Sequence, residues 1–222
     1  MTFIKRALLI GSSGGIGAAL ATALGDADLV TLSRSADGLD VTREESVAAA
    51  AARLTAPFDL IFDATGGLSI DGSMPEKALS QVSAEAFAEQ FALNAIGPAL
   101  MLKHFGPLLP REGRAVFATL SARVGSIGDN RLGGWISYRA SKAALNQIVR
   151  TAAVEMTRRN RDSIVVALHP GTVETPLTRK YLGRHPSVSA DEAAGNLLRV
   201  VGALEPAQTG GFYDYAMKEV PW

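Results

Sequence analysis

The sequence predicts a doubly wound α/β domain, one parallel sheet with helices on both faces. Two observations predict it. Short apolar runs alternate with longer alanine-rich stretches of helical period, a pattern of parallel strands joined by crossover helices. A glycine-rich turn joins the first apolar run to the first helical stretch, where such a sheet places its phosphate-binding loop.

In chain order, the predicted strands are ALLI at 7–10, LVTLS at 29–33, LIFDA at 60–64, AVFATL at 115–120 and IVVALH at 164–169. Each is short and apolar on successive positions, as a strand covered on both faces requires. Helical periodicity runs through 15–24, 44–54, 85–105, 138–159 and 191–204. No repeat, low-complexity tract or linker interrupts the alternation. The 222 residues are therefore expected to form a single domain around one core, residues 1–222. The longest irregular segments, 121–137 and 175–189, both follow predicted strands. They fall at the carboxyl edge of the sheet, where open α/β sheets bind ligands.

Composition narrows the function. The 22 basic and 22 acidic residues balance, which gives no electrostatic reason for a nucleic-acid or anionic-membrane partner. There are no cysteines, and the three histidines, His104, His169 and His185, are too scattered for a ligand set, so no metal is expected. The first residues hold no apolar core of about 7 to 15 residues before a cleavage site, and no apolar run nears the roughly 18 that span a bilayer. A soluble cytoplasmic protein is the expectation.

The turn LLIGSSGGIGAAL places Gly11, Gly15 and Gly17 between the first strand and the first helix. A diphosphate needs backbone close by and free N–H donors, and glycines at a strand-to-helix turn supply both beside the positive end of the helix dipole. A tight turn alone also uses glycine. The position in the first βα unit favours a dinucleotide site built from Gly11, Ser12, Ser13, Gly15, Ile16 and Gly17, and hence a Rossmann-type sheet. About twenty residues on, a cofactor with a free ribose hydroxyl calls for a carboxylate. The sequence instead reads SRS with Arg34, whose planar fork suits a phosphate and favours NADP(H) over NAD(H), although an arginine near a strand end is also ordinary.

YRASK sets Tyr138 and Lys142 one helical turn apart on one face, at the start of a helix that follows a strand and a loop on the ligand side. A phenol loses its proton near pH 10, whereas a general acid works best nearer neutrality. A cation about 4 Å away, at an effective dielectric of about 20, is worth roughly 4 kcal/mol, enough to lower the phenol by about three pH units.

With GSSGGIG, YRASK and HPGTVETP in this order, the sequence resembles the short-chain dehydrogenase/reductase family over essentially its whole length. GSIGDNRLGGWISYRASKAALN and the ending GGFYDYAMKEVPW further resemble its C-factor-like subgroup, which includes carbonyl-reductase-like proteins. The resemblance implies that Tyr138 gives its proton to a carbonyl oxygen as a nicotinamide delivers hydride, and that Lys142 also binds the nicotinamide ribose. Asn94 matches the family's helix asparagine. Pro98, lacking an N–H, leaves the Asn94 carbonyl without its helical partner and free to hold a water, unless the resulting kink serves packing alone.

Two departures stand out. The family's serine falls on Ala122 of SARVG; Ser121 is the first candidate to replace it, Ser126 the second, or the hydroxyl is absent. Where the family shows Asn-Asn-Ala-Gly, this sequence has DATGG: Ala64 and Gly66 remain candidate cofactor contacts, and Asp63 either holds the sheet by different hydrogen bonds or simply ends a strand. Asp40 and Val41 match the family's adenine-binding pair. Only six positions separate Arg34 from Asp40, so the helix between the second and third strands is expected to be missing. Pro170, Gly171 and either Thr172 or Thr175 match the segment that grips the carboxamide. His169, His104 and His185 are expected to be structural, His169 having no visible carboxylate partner. Trp135, Ile127, Leu177, Tyr181 and Leu182 offer either an apolar substrate wall or ordinary packing.

The expected protein is an NADP(H)-dependent reductase of an aldehyde or ketone, reversible toward alcohol oxidation. The alternative is a regulatory or signalling protein that binds NADP(H) with little turnover. A homodimer or homotetramer is expected, on the resemblance and on alanine-rich helix faces.

Overall fold

The computed structural model describes residues 4–70, 72, 74–176, 178–179 and 186–222. Leu177, Tyr181, Leu182 and His185 lie outside the described residues. Six parallel strands, β1 (Arg6–Ile10), β2 (Asp28–Leu32), β3 (Leu60–Asp63), β4 (Ala115–Leu120), β5 (Ser163–His169) and β6 (Phe212–Asp214), form one sheet in the order β2-β1-β3-β4-β5-β6. The register runs without a slip, with Ile10 beside both Leu32 and Asp63, and Leu120 beside Leu168.

The alternating period of the strands divides the core in two. Leu8, Ile10, Ile61, Phe117 and Val165 face α3 (Glu44–Ala52), α5 (Gly97–Phe105) and α6 (Ile136–Arg159). Leu9, Phe62, Val116, Val166 and Leu168 face α1 (Gly15–Ala23) and α7 (Ala190–Ala203). Each fully buried large side chain contributes about 1.5 to 3 kcal/mol of transfer energy, which explains why the central strands β3 and β4, buried throughout, are apolar except at Asp63 and Thr119.

Three elements differ from expectation. β6 was not predicted, because three residues give too short a pattern to separate from a turn. Between Arg34 and Asp40 the chain makes one helical turn, α2 (Arg34–Asp37), capped by the Ser33 hydroxyl, and ends it at Gly38 in the left-handed region. Leu39 and Val41 then pack into the core, and no described strand forms there. Contrary to expectation a crossover helix does join β2 to β3, namely α3; what the short spacing between Arg34 and Asp40 removes is a separate helix and strand before it. Last, the single helix expected over 85–105 is α4 (Ala84–Phe91), a five-residue π-turn at Ala92–Ile96, and α5. Pro98 has no N–H to offer the Asn94 carbonyl, and the chain absorbs the lost bond by widening that turn.

β1 is the strand at which the chain reverses direction across the sheet, with β2 on one side and β3 on the other. A crevice opens there at the carboxyl ends of the strands.

Candidate active site

The crevice is a cleft of about 430 Å³, and it joins the two motifs. Ser13, Gly15 and Ile16 form one wall; Ala64 and Gly66 form its floor; Ser121, Tyr138 and Lys142 form the opposite wall; Pro170, Gly171 and Thr175 close the end. Gly11, Ser12 and Gly17 lie within the turn behind the first wall, and Arg34, Asp40, Val41, Asn94 and Thr172 lie off the cleft surface.

The turn is built for close approach. Gly11 has φ +85° and donates its N–H to the Leu32 carbonyl at 2.8 Å. A Cβ on Gly17 would lie 2.1 Å from the Gly11 carbonyl oxygen. One on Gly15 would lie 2.7 Å from Thr175 Cγ2. At Gly66, φ +134°, a Cβ would sit 3.1 Å from both Asn94 Oδ1 and Lys142 Nζ. These are places where only backbone fits, beside the first turn of α1, and they suit a dinucleotide.

Arg34 is exposed at the end of β2. Nearby, Asp40 accepts hydrogen bonds from the Thr42 hydroxyl at 2.6 Å and the Thr42 N–H at 3.0 Å. These bonds, aided by Arg43 and Arg34, hold its carboxyl below the usual range.

On the other wall α6 begins at Trp135, whose φ of 52° is left-handed. The Trp135 ring meets Tyr138 edge-on with centroids 6.3 Å apart. Sequence reasoning missed the clasp that holds this helix start: Glu76 accepts the Trp135 N–H at its carbonyl (2.5 Å) and the Ser137 N–H at its carboxylate (3.4 Å). Glu76 falls in a segment with no local pattern, so nothing in the sequence marks it.

Lys142 is buried, and its ammonium donates to the Leu120 carbonyl at 2.9 Å. Burial brings its pKa down to about 8, with Asp63 opposing the change. Burial pushes the Tyr138 hydroxyl up. This is opposite in sign to the lowering expected from a neighbouring lysine: the cost of an ionised phenol in the interior outweighs any attraction to Lys142. Asn94 is fully buried and ties α4 to the floor, accepting the Gly67 N–H at 3.0 Å and donating to the Gly67 carbonyl at 2.9 Å and to Gln90 Oε1 at 2.6 Å.

Ser121 donates its hydroxyl to Asn146 Oδ1 at 2.7 Å, on the α6 side. Ser126 accepts the Asp129 N–H and does not line the cleft. Ala122 and Ser121 both line it, and the Ser121 hydroxyl has its proton already engaged by Asn146. His169 also lines the cleft. Contrary to expectation a carboxylate bears on it, Asp214, its register neighbour on the unpredicted β6; burial nevertheless brings its pKa down to about 4. His104 pairs with Glu44 at 3.1 Å on the surface.

Residues 19–212 match the family model described as Enoyl-(Acyl carrier protein) reductase. The chain belongs to the short-chain dehydrogenase/reductase family. It is 35% identical over 179 residues to the 1-hydroxy-2-glutathionyl-2-methyl-3-butene dehydrogenase of Rhodococcus sp. (strain AD45), covering 79% of this chain and 74% of that one. It is 35% identical over 145 residues to the C-signal of Myxococcus xanthus, covering 65% and 84%. Among solved structures, a short-chain dehydrogenase/reductase from Burkholderia multivorans with bound NADP superposes with a TM-score of 0.80 at 28% identity, covering 99% of this chain and 100% of that one. The carbonyl reductase Sniffer of D. melanogaster shares the fold, with a TM-score of 0.83 at 22% identity over 99% and 100% of the two chains. The match to this family of oxidoreductases agrees with the resemblance read from the motifs. No described helix is long and apolar enough to cross a membrane.

Proposed function

We propose that the protein is an NADP(H)-dependent reductase of aldehydes or ketones, working reversibly toward alcohol oxidation. The observation that carries the proposal is the single cleft walled on one side by the glycine turn and on the other by Tyr138 and Lys142. The Burkholderia multivorans relative, solved with NADP, supports the cofactor class, and the exposed Arg34 at the end of β2 offers a planar fork that suits a ribose phosphate.

The nicotinamide, when bound, supplies hydride to the carbonyl carbon. The residues of this chain manage the proton. Tyr138 enters protonated, since burial keeps its phenol neutral. It releases that proton to the oxygen as an alkoxide develops, a base far stronger than the phenolate left behind. The Lys142 ammonium stabilises that phenolate and offers donors to a ribose. Asn94 fixes the floor through Gly67, and its main-chain carbonyl at the π-turn is suited to hold a water that returns a proton to Lys142. With the Ala122 methyl on the cleft and the Ser121 hydroxyl engaged, the developing oxyanion relies on Tyr138.

The test is a panel of diverse aldehydes and ketones, following NADPH absorbance. Turnover of part of the panel, with NADPH preferred over NADH, is expected. Saturable NADPH binding with no turnover anywhere in the panel would refute the reading.

A further inference from the structure

Asp63 ends β3 with no exposed surface, on the side of the sheet that carries α6. Three donors converge on its carboxyl: the Thr65 N–H at 2.8 Å and the Thr65 hydroxyl at 2.6 Å on Oδ1, and the Thr119 hydroxyl at 2.6 Å on Oδ2. A backbone N–H can only donate, and several donors aimed at one carboxyl favour its ionised form. A charge buried so completely calls for a countercharge. Burial pushes the Asp63 carboxyl up, and the Thr119 and Thr65 donors and, last, the Lys142 ammonium oppose that rise and favour the anion. The Lys142 Nζ is bound to the Leu120 carbonyl, one residue along β4 from the Thr119 that holds Asp63. No direct ion pair joins the two; the link passes through the ends of β3 and β4.

Resting on the reaction proposed above, we infer that Asp63 is a positioning residue for Lys142: a buried counter-anion that keeps the ammonium charged while Tyr138 gives up its proton. Other titratable groups around Lys142 are Tyr138 on its own helix and His169 on β5, with Asp214 and Arg123 bearing on His169. None of these is a cause of the Lys142 shift; burial lowers it and Asp63 alone opposes. An amide at position 63 would accept both Thr65 donors at one atom and donate to Thr119 at the other, so Asp63→Asn removes the charge and preserves the fit.

The experiment titrates Lys142 directly, by NMR of protein carrying 13Cε-lysine, with the signal assigned by Lys142→Met. In Asp63→Asn the Lys142 midpoint should fall by about one pH unit, a tenfold weaker hold on the proton. The alkaline limb of NADPH-dependent reduction should move with it. An unmoved midpoint in a folded Asp63→Asn protein overturns the inference, because a purely structural Asp63 would alter stability alone. If Asp63→Asn does not fold, the reciprocal measurement serves: in Lys142→Met, the 13Cγ signal of Asp63 should titrate at higher pH than in the wild type, and an unchanged midpoint overturns the link. A Lys142 midpoint that moves in a protein that reduces no carbonyl upholds the electrostatic link and refutes the reaction. An unmoved midpoint in an active protein refutes the link alone.

Discussion

The two walls of the cleft work by different physics. The wall from β1 to α1 is backbone: glycines whose Cβ atoms would strike the Gly11 carbonyl or the Thr175 side chain, and N–H groups at a helix start. The wall from β4 to α6 is made of ionisable side chains taken out of water, with burial pushing Tyr138 up and Lys142 down to about 8, and pushing the Asp63 carboxyl at the end of β3 up as well. A steric wall tolerates no change in shape and is indifferent to pH. An electrostatic wall keeps its shape under isosteric substitution and responds to charge.

The largest expected effect breaks the comparison on its electrostatic side. Tyr138→Phe should lower turnover about a thousandfold while leaving NADPH affinity within about twofold, because only the acid proton is lost. Stopped-flow binding and single-turnover assays check both halves, and retained turnover would remove Tyr138 from the acid role. On the steric side, Gly17→Ala should cost about 3 kcal/mol of stability and most of the NADPH affinity, because its Cβ would lie 2.1 Å from a main-chain oxygen that cannot easily yield. Gly15→Ala should cost less, since the clash is with a Thr175 methyl that can rotate away. Urea denaturation ranks the pair, and equal losses would show that the turn does not discriminate backbone from side-chain neighbours.

The same contrast governs how much was legible in the sequence. The steric wall was readable because a glycine turn is a local pattern: Gly11, Gly15 and Gly17 fall within seven consecutive residues and their chemistry follows from that spacing. The helical face shared by Tyr138 and Lys142 was readable for the same reason. The sign of the Tyr138 shift was not, because desolvation depends on everything packed around the ring and helical spacing carries no measure of burial. The Glu76 clasp and the pairing of His169 with Asp214 join residues far apart in the chain, through a patternless segment and a three-residue strand respectively. The hydrogen bond that engages the Ser121 hydroxyl was not legible either, since its partner Asn146 lies 25 residues on and faces it only once α6 is packed against the sheet.

A third prediction sharpens the electrostatic side through pH. Lys142 ionises at about 8 in the fold against 10.5 normally. Between those values the unfolded chain binds the proton more readily than the folded one, so stability rises with pH across that window. Below pH 8 both states carry the proton and the fold bears the full desolvation cost, about 3 kcal/mol. Urea titrations from pH 7 to 10 should show this rise in the wild type and its loss in Lys142→Met. Turnover should run the other way, falling about fivefold from pH 8 to 9 as the ammonium is lost. Parallel pH profiles for the two proteins would show that Lys142 is not the titrating group.

The smallest expected effect lies where the two kinds of wall meet. Ser121 lines the cleft, yet its hydroxyl serves packing, donating at 2.7 Å to an Asn146 oxygen that is itself buried. Ser121→Ala should therefore cost about 1 kcal/mol of stability, the price of an unsatisfied acceptor, and leave turnover within about twofold. Ala122→Ser puts a hydroxyl on the cleft side, where no structural bond claims it, and should raise turnover by about tenfold if it reaches the developing oxyanion. The two substitutions thus read stability and chemistry separately at adjacent positions. A tenfold loss of turnover in Ser121→Ala at unchanged stability would reverse that division and make Ser121 a donor to the substrate.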